Sequence, residues 1–520
     1  MKSGTRFTVK VALIVALGGF LMGFDASVIS GVVGFIETEF SLTKLQLGWS
    51  VASLTLTATV AMMIAGPLSD RIGRRPVLQI AASLFALSAI ASAVAPNFLF
   101  LVIARMIGGL GVGAALIIAP MYIAEIAPAE QRGRLVSFNQ LNIVVGISVA
   151  FFSNFLILKL GQTDLAWVES LRIGDWSWRW MLGAETLPAI LYFFALLLVP
   201  ESPRWLAMQG RDAEALRVFE QVGGPEQARA DLAVVHDSLK TTAAEQAASV
   251  KELFQPAMKL VLTIGIGIAI LQQITGINSV FFYAPMIFEQ SGIGTDASFL
   301  QAVLVGLVNL AFTIVAIALI DKLGRRPLLI FGLTGIAVCM LTLSYGFGTA
   351  TYSLSASAID ALPVQIDRQL IQPVAAVVYD SDVAFRHAVT EAIGASAFRE
   401  NESQLVSAAI DIDPMLILLG ILGFVASFAV SLGPVMWVLF SELFPNRLRG
   451  MAISLAGLVN SAVSFAVQLV FPWELSKFGN SVTFLIYGVF ALLGLAFVLR
   501  VVPETKGRSL EELERLLVRN

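Results

Sequence analysis

The chain has 520 residues, 57% of them hydrophobic and only 14% charged, with a formal net charge of −3 and a mean hydropathy of +0.82. Soluble domains carry about 25% charged residues, so this balance excludes a soluble enzyme or a nucleic-acid-binding domain and implies a membrane protein with many spans. The single cysteine, Cys339, rules out an internal disulfide.

A hydrocarbon core of about 30 Å takes roughly 20 apolar residues as helix. Twelve such runs are predicted, at 11–34, 47–69, 76–95, 98–124, 135–158, 179–200, 260–288, 298–320, 327–348, 414–441, 450–472 and 480–501. Nothing alternates as the strands of a membrane β-barrel would. The first run is too long for the apolar region of a signal peptide and is followed by no small-residue cleavage signature, so it is expected to be retained.

Two lone charges interrupt these spans. Asp25 is the only charged residue between positions 11 and 36, and Arg105 stands in span four with 29 uncharged residues before it and 19 after. A charge in hydrocarbon is costly and marks a functional site with a partner, and Arg105 is the one intramembrane base available to Asp25. A carboxylate whose partner moves between conformations changes its proton affinity. Glu185, in the outer part of span six, is expected in a wetter vestibule.

Basic residues recur at alternate connections: Arg71, Arg74 and Arg75; Arg132 and Arg134; Lys322, Arg325 and Arg326; Arg447 and Arg449. The positive-inside rule makes these loops and both termini cytoplasmic. The chain also repeats itself: "GPLSDRIGRRPVL" (66–78) returns as "ALIDKLGRRPLL" (318–329), and "EIAPAEQRGRL" (125–135) as "ELFPNRLRGMA" (442–452). Two six-helix halves in one orientation follow, with a substrate site expected near the midplane.

Asp70 and Asp321 are 251 residues apart but Arg132 and Arg449 are 317 apart, so about 66 extra residues enter after span nine. The expected organisation is an N-terminal half (1–200), cytoplasmic linker helices (201–257), a C-terminal half (258–348 and 414–502), an extracytoplasmic insertion (349–413) and a cytoplasmic C-terminal helix (503–520). In the linker, Ser202 and Pro203 start a helix, and Gly223, Gly224 and Pro225 end one and open another. In the insertion a helix is predicted from Asp382 to about Phe398.

Span seven carries Gln272, Gln273 and Asn278, span five opens with Gln140 and Asn142, span eight holds Asn309 and span eleven Asn460. Amides donate and accept, which suits the hydroxyls of a neutral polyhydroxy substrate; the same amides also serve to join helices. Trp437 offers a planar surface for a sugar's CH face. Gly433 and Pro434 are expected to break span ten beside it, and Gly276 to loosen span seven.

The strings "DRIGRRP", "PMYIAEIAPAEQRGRL", "PESPRWL", "QQITGINSVFFYAP", "DKLGRRPL", "GPVMWVLFSELFP" and "PETKGRSLEEL", in this order, resemble the sugar porter family of the major facilitator superfamily. The resemblance is closest to bacterial sugar/proton symporters and covers nearly all of the chain outside the insertion. It implies an all-α membrane protein of twelve helices in two pseudo-symmetric halves. It implies sugar contacts from Gln140, Gln272, Gln273, Asn278 and Trp437, with the aromatic Phe428 beside them. Phe282 stands where a tyrosine is common, and Asn460 is followed by Ser461 where a tryptophan is usual, so the exact sugar stays open. Asp25 and Arg105 match the family's proton-coupling pair. Asp70, Arg71, Arg74, Glu125, Arg132, Glu201, Arg204, Asp321, Arg325, Glu442, Arg449 and Glu504 resemble its salt-bridge network between the halves at the cytoplasmic face, which acts as a gate.

The expected activity is proton-coupled symport of a hexose, a pentose or a related polyol across a bacterial inner membrane, by a chain functional as a monomer. A proton-independent facilitator is the nearest alternative, and Asp25 speaks against it. A sugar receptor would need a long signalling tail, and a drug exporter would not build its pocket of amides. No enzyme, cofactor or metal is expected: His236 and His387 lie in the linker and the insertion, and neither a P-loop nor a cluster with metal-ligand spacing occurs.

Overall fold

A computed structural model of the chain describes residues 3–128, 131–244, 250–362, 368–445, 447–508 and 510–517. Without water to satisfy peptide groups, a chain crossing hydrocarbon must close its hydrogen bonds within each segment, and helix is the local solution. Among the described residues, eleven helices are long and apolar enough to span a membrane, from Gly4–Gly31 to Arg449–Val501. The last has 53 residues, about 80 Å of helix, far more than one crossing needs. Gly479, at φ 79° and ψ 169°, bends it and divides it into the eleventh and twelfth spans.

Three spans are interrupted among the described residues. Span six comprises Ser177–Gly183 and Thr186–Leu197, with Glu185 at the break. Span seven comprises Lys259–Ile274 and Ile277–Glu289, separated at Gly276, whose φ of 91° suits a residue without Cβ. A Cβ there would also stand 2.7 Å from the Tyr487 ring. Span ten comprises Pro414–Val430 and Leu432–Leu443, with the break at Ser431 (φ −121°, ψ −96°). Gly433 and Pro434 were expected to hold that break; they lie instead within the first turn of the second piece. A proline disrupts the turn before it, because it lacks an N–H and its ring crowds the carbonyl four residues back, here Val430.

By contact, the chain forms two compact units. The first comprises Met1–Val28, Ser53–Ser153 and Arg179–Ser249; the second comprises Ile29–Ala52, Asn154–Trp178 and Val250–Asn520. In the first unit the linker helices Pro203–Met208, Asp212–Gly223 and Pro225–Ala244 pack Trp205, Ala215, Val218 and Val222 into the same core as Val11, Ala12 and Val15 of span one. Ser202 caps the first of them by accepting from the Trp205 N–H at 3.3 Å, and the Gly223–Gly224–Pro225 stretch separates the next two as its sequence predicts.

In the second unit the insertion is a folded body with its own core, built on Tyr352, Leu354, Ile371, Phe385, Val389 and Leu405. A two-stranded antiparallel ladder, Thr351–Tyr352 against Ile410–Asp411, closes its neck. The helix predicted over 382–398 is two helices, Asp382–Ile393 and Ala395–Ala409, parted at Gly394 with φ 87°. The insertion is fastened to the rest of its unit by polar contacts. The Asp382 carboxylate accepts from the Asn480 backbone N–H at 3.1 Å, Ser407 Oγ donates to the Glu289 carbonyl at 2.7 Å, and Lys44 bridges Glu402 and Glu37 at 2.9 and 2.6 Å.

Candidate functional site

In the first unit, span one carries Asp25 and span four carries Arg105 into contact. Arg105 Nη1 lies 2.5 Å from Asp25 Oδ1 and also donates to the Asp25 carbonyl at 3.2 Å. The side chains are 1% and 2% exposed, so the ion pair is enclosed. Its bonding is incomplete: Asp25 Oδ2 and Arg105 Nε have no hydrogen-bond partner. Half-satisfied buried charge is costly to hold. Glu185 belongs to the same neighbourhood. It is 2% exposed, Oε1 has no partner, and Asp25 and Arg105 lie within its electrostatic reach. The expected wet vestibule is therefore wrong for Glu185; the signal was a third lone charge in an apolar span.

Gln140 is exposed on span five of the same unit, and Asn142 donates to the Phe138 carbonyl at 2.8 Å within its own helix.

In the second unit, spans seven and eleven assemble a cluster of amides. Gln273 Nε2 donates to Asn460 Oδ1 at 3.1 Å and to Gln272 Oε1 at 3.2 Å, and Asn460 Nδ2 donates to Gln272 Oε1 at 2.7 Å. Asn278 Nδ2 donates to Gln273 Oε1 at 2.8 Å and to Ser464 Oγ at 2.7 Å; Gln468 adds a donor to the same Ser464 oxygen at 2.7 Å. Gln272 Nε2 reaches the Leu432 carbonyl at 3.2 Å, beside the span-ten break whose local loss of helix frees backbone groups. The result is a neutral set of closely spaced donors and acceptors, and such a set can exchange its internal bonds for hydroxyl groups of a ligand.

Ser464 and Gln468 were not singled out from the sequence. The signal was there: Asn460, Ser464 and Gln468 recur every fourth residue, which places them on one helical face. Trp437 is 44% exposed and meets Phe440 edge-on at 5.9 Å. Asn309, Phe282 and Phe428 are buried without joining the hydrogen-bonded set among the described residues, and Gly433 lies close enough to Phe428 that a Cβ would stand 3.3 Å from the ring.

The two loop repeats build the same structure twice. In the first unit Arg74 grips Glu125 through Nε at 3.0 Å and Nη2 at 2.9 Å, and reaches Asp70 at 2.8 Å. Glu201 accepts from the backbone N–H groups of Arg74, Arg75 and Ser202, and Ser202 Oγ donates to Glu125 at 2.5 Å. Burial pushes the Glu201 carboxyl above the usual carboxylate range, while those backbone donors pull it down. In the second unit Arg325 pairs with Glu442 at 2.7 Å and with Asp321 at 3.2 Å. Glu504 accepts from the Arg325 and Arg326 N–H groups, and Thr505 donates to Glu442 at 2.6 Å. The expectation from sequence was pairing between the halves; these pairs are each made inside one half. Arg71, Arg132 and Arg204 are exposed, and Arg449 donates to the Phe444 carbonyl at 3.2 Å.

Both carboxylate cradles need a glycine. Gly73 (φ 102°) and Gly324 (φ 96°) would place a Cβ 2.3 and 2.6 Å from oxygens of Glu201 and Glu504. Gly324→Ala is expected to destabilise the protein by about 1–3 kcal/mol through backbone strain and displacement of Glu504, read as a lowered melting temperature in detergent. An unchanged melting temperature would show that the cradle is dispensable.

The profile of the family described as sugar (and other) transporters matches residues 11–362 and 392–517. The chain is 36% identical to the arabinose-proton symporter of Bacillus subtilis (strain 168), covering 99% of this chain and 96% of that protein. It is 34% identical to the D-xylose-proton symporter of Escherichia coli (strain K12), covering 98% and 96%. Among solved structures it resembles the partially occluded inward-open conformation of the xylose transporter XylE from E. coli, with a TM-score of 0.74, 32% identity and coverage of 97% and 100%.

Proposed function

Because this chain belongs to the sugar transporter family of the major facilitator superfamily, we propose that it is a proton-coupled symporter of a neutral monosaccharide that works by alternating access. The observation that carries the reading is the enclosed Asp25–Arg105 pair, 2.5 Å apart. A facilitator has no need of a carboxylate held at such cost. Protonation of Asp25 releases Arg105, and loss of the proton restores the pair, so the proton's passage is tied to a change in how spans one and four are joined. A two-state protein shifts only by the difference in free energy between its states, and an ion pair made in one state alone supplies such a difference.

The amide cluster of spans seven and eleven supports a polyhydroxy substrate. Gln272, Gln273, Asn278 and Asn460 hold the hydroxyls, with Ser464 and Gln468 beside them; Trp437 adds a contact. A cluster without formal charge gives no reason to select an ion. The relatives' sugars, arabinose and xylose, put pentoses first, with hexoses and cyclic polyols next. The basic loops face the cytoplasm along with both termini, the insertion faces outward, and the membrane is the bacterial inner membrane. The paired arginine–carboxylate cradles stiffen each half and gate the cytoplasmic side. Asp70→Asn is expected to raise the inward-open population, measured by spectroscopic distances across that face; no change would remove Asp70 from the gate.

The test is uptake of labelled L-arabinose, D-xylose, D-glucose and myo-inositol into proteoliposomes, with and without an imposed proton gradient. At least one of these is expected to accumulate above its external concentration when the outside is acidic. Uptake that only equilibrates would establish a facilitator, and no uptake of any of them would overturn the reading.

A further inference from the structure

Under the insertion, wholly within the second unit, lies a cavity of about 460 Å3, well within the range of small-molecule sites. Its walls come from five parts of the chain: the insertion (Arg386), the segment after span one (Phe35), the approach to span six (Asp175), the end of span seven (Gln290) and the start of span eight (Phe299). Two of these side chains carry unmet hydrogen-bonding capacity. Gln290 and Arg386 are each 8% exposed, and Gln290 Oε1 and Arg386 Nε and Nη2 have no partner, although Arg386 Nη1 pairs with Glu402. Buried donors and acceptors left in this way are uncommon and cost stability.

We propose that this cavity is a second polyol site, in which a sugar hydroxyl donates to Gln290 Oε1 and another accepts from Arg386, on the way to the amides of spans seven and eleven. The chemistry of the walls narrows the ligand. An anion is disfavoured, because the lining holds five carboxylates (Glu37, Glu39, Asp175, Glu289, Glu402) against three bases (Lys44, Arg386, Arg399). A metal cation would leave the Arg386 donors unmet. A neutral molecule with adjacent hydroxyls meets both kinds of orphan, since each hydroxyl donates once and accepts twice. The buried Phe299 and the half-buried Phe35 supply apolar wall for a ring's CH face.

Position supports the same assignment. Gln290 follows the helix Ile277–Glu289, whose first turn bears Asn278 and which bends at Tyr283 (φ −126°, ψ 16°); twelve residues of helix place the two amides at most about 18 Å apart. Arg386 lies in the stretch 363–391 that the family profile leaves unmatched, so the shared sugar site does not account for it.

The inference rests on the proposed sugar transport, and the experiment separates the two. Equilibrium binding of labelled L-arabinose, D-xylose and D-glucose is measured on the full-length chain in detergent, for the wild type, Gln273→Leu, Gln290→Leu and Arg386→Lys. For at least one of these sugars the wild type is expected to bind two molecules, Gln273→Leu to retain one, and Gln290→Leu to lose the one that Gln273→Leu keeps. In proteoliposomes, Gln290→Leu and Arg386→Lys are expected to raise the half-saturating sugar concentration about three- to tenfold at the insertion-bearing face. The half-saturating concentration at the opposite face should not move. Arg386→Lys keeps the charge for Glu402 and so guards against loss of folding. A single wild-type site that Gln273→Leu abolishes, or wild-type half-saturation in both cavity variants, overturns the second site while leaving symport intact. Failure of the wild type to transport any of these sugars or myo-inositol overturns the transport reading, whereas the binding measurement still decides the cavity.

Discussion

Asp25→Asn is expected to abolish accumulation of sugar against its gradient while sugar exchange between the two faces continues. Asparagine has nearly the shape of a protonated aspartate but can neither take up nor release the proton. One charge moving through the field contributes about 2.3 kcal/mol per 100 mV, equivalent to roughly a fiftyfold concentration ratio, and the variant forfeits all of it. Exchange survives because it needs only the conformational change with sugar bound. The variant should fold, because the amide oxygen of the substituted side chain can still accept the hydrogen bond that Arg105 Nη1 gives Asp25 Oδ1. Accumulation by Asp25→Asn under an imposed proton gradient would sink the coupling proposal.

Gln273→Leu is expected to raise the half-saturating sugar concentration about ten- to a hundredfold. Gln273 is the centre of the amide cluster: it donates to Asn460 at 3.1 Å and accepts from Asn278 at 2.8 Å. Leucine fills a similar volume but leaves the buried Asn460 Oδ1 without this donor, at a cost of about 1–3 kcal/mol, while Asn278 keeps only its bond to Ser464. It also removes a group proposed to bond a hydroxyl. The measurement is initial uptake rate against sugar concentration in proteoliposomes, where the loss should fall mainly on half-saturation. A change within about twofold would assign the cluster to helix packing.

Much of this is legible in the sequence. The spans are legible because hydropathy over about 20 residues is a sum along the chain and needs no knowledge of neighbours. The internal repeat was equally plain, and it foretold that "DRIGRRP" and "DKLGRRP" would occupy equivalent positions. Asp25 and Arg105 were legible as partners because lone charges in hydrocarbon have so few choices.

Other features depend on which surfaces meet. Composition marked span ten for a break, but the φ/ψ change settled on Ser431, because the proline's steric effect falls on the preceding turn. Glu185 looked like a residue of a wet outer vestibule, and packing has buried it with Asp25 and Arg105 in reach. The cradles in which Gly73 and Gly324 make room for Glu201 and Glu504 could not be read from strings of arginine and glutamate.

By itself, then, the sequence determined a polytopic helical protein of two related halves, with an isolated carboxylate–arginine pair and a polar, uncharged stretch in span seven. Only the tertiary structure decided which amides bond to which, that Ser464 and Gln468 join them, and that the insertion closes a cavity lined by Gln290 and Arg386. The physical reason is range. Hydropathy and repeats are properties of neighbouring residues, whereas Gln273 and Asn460 are 187 positions apart, and a hydrogen bond between them exists only once two helices have packed in a particular register.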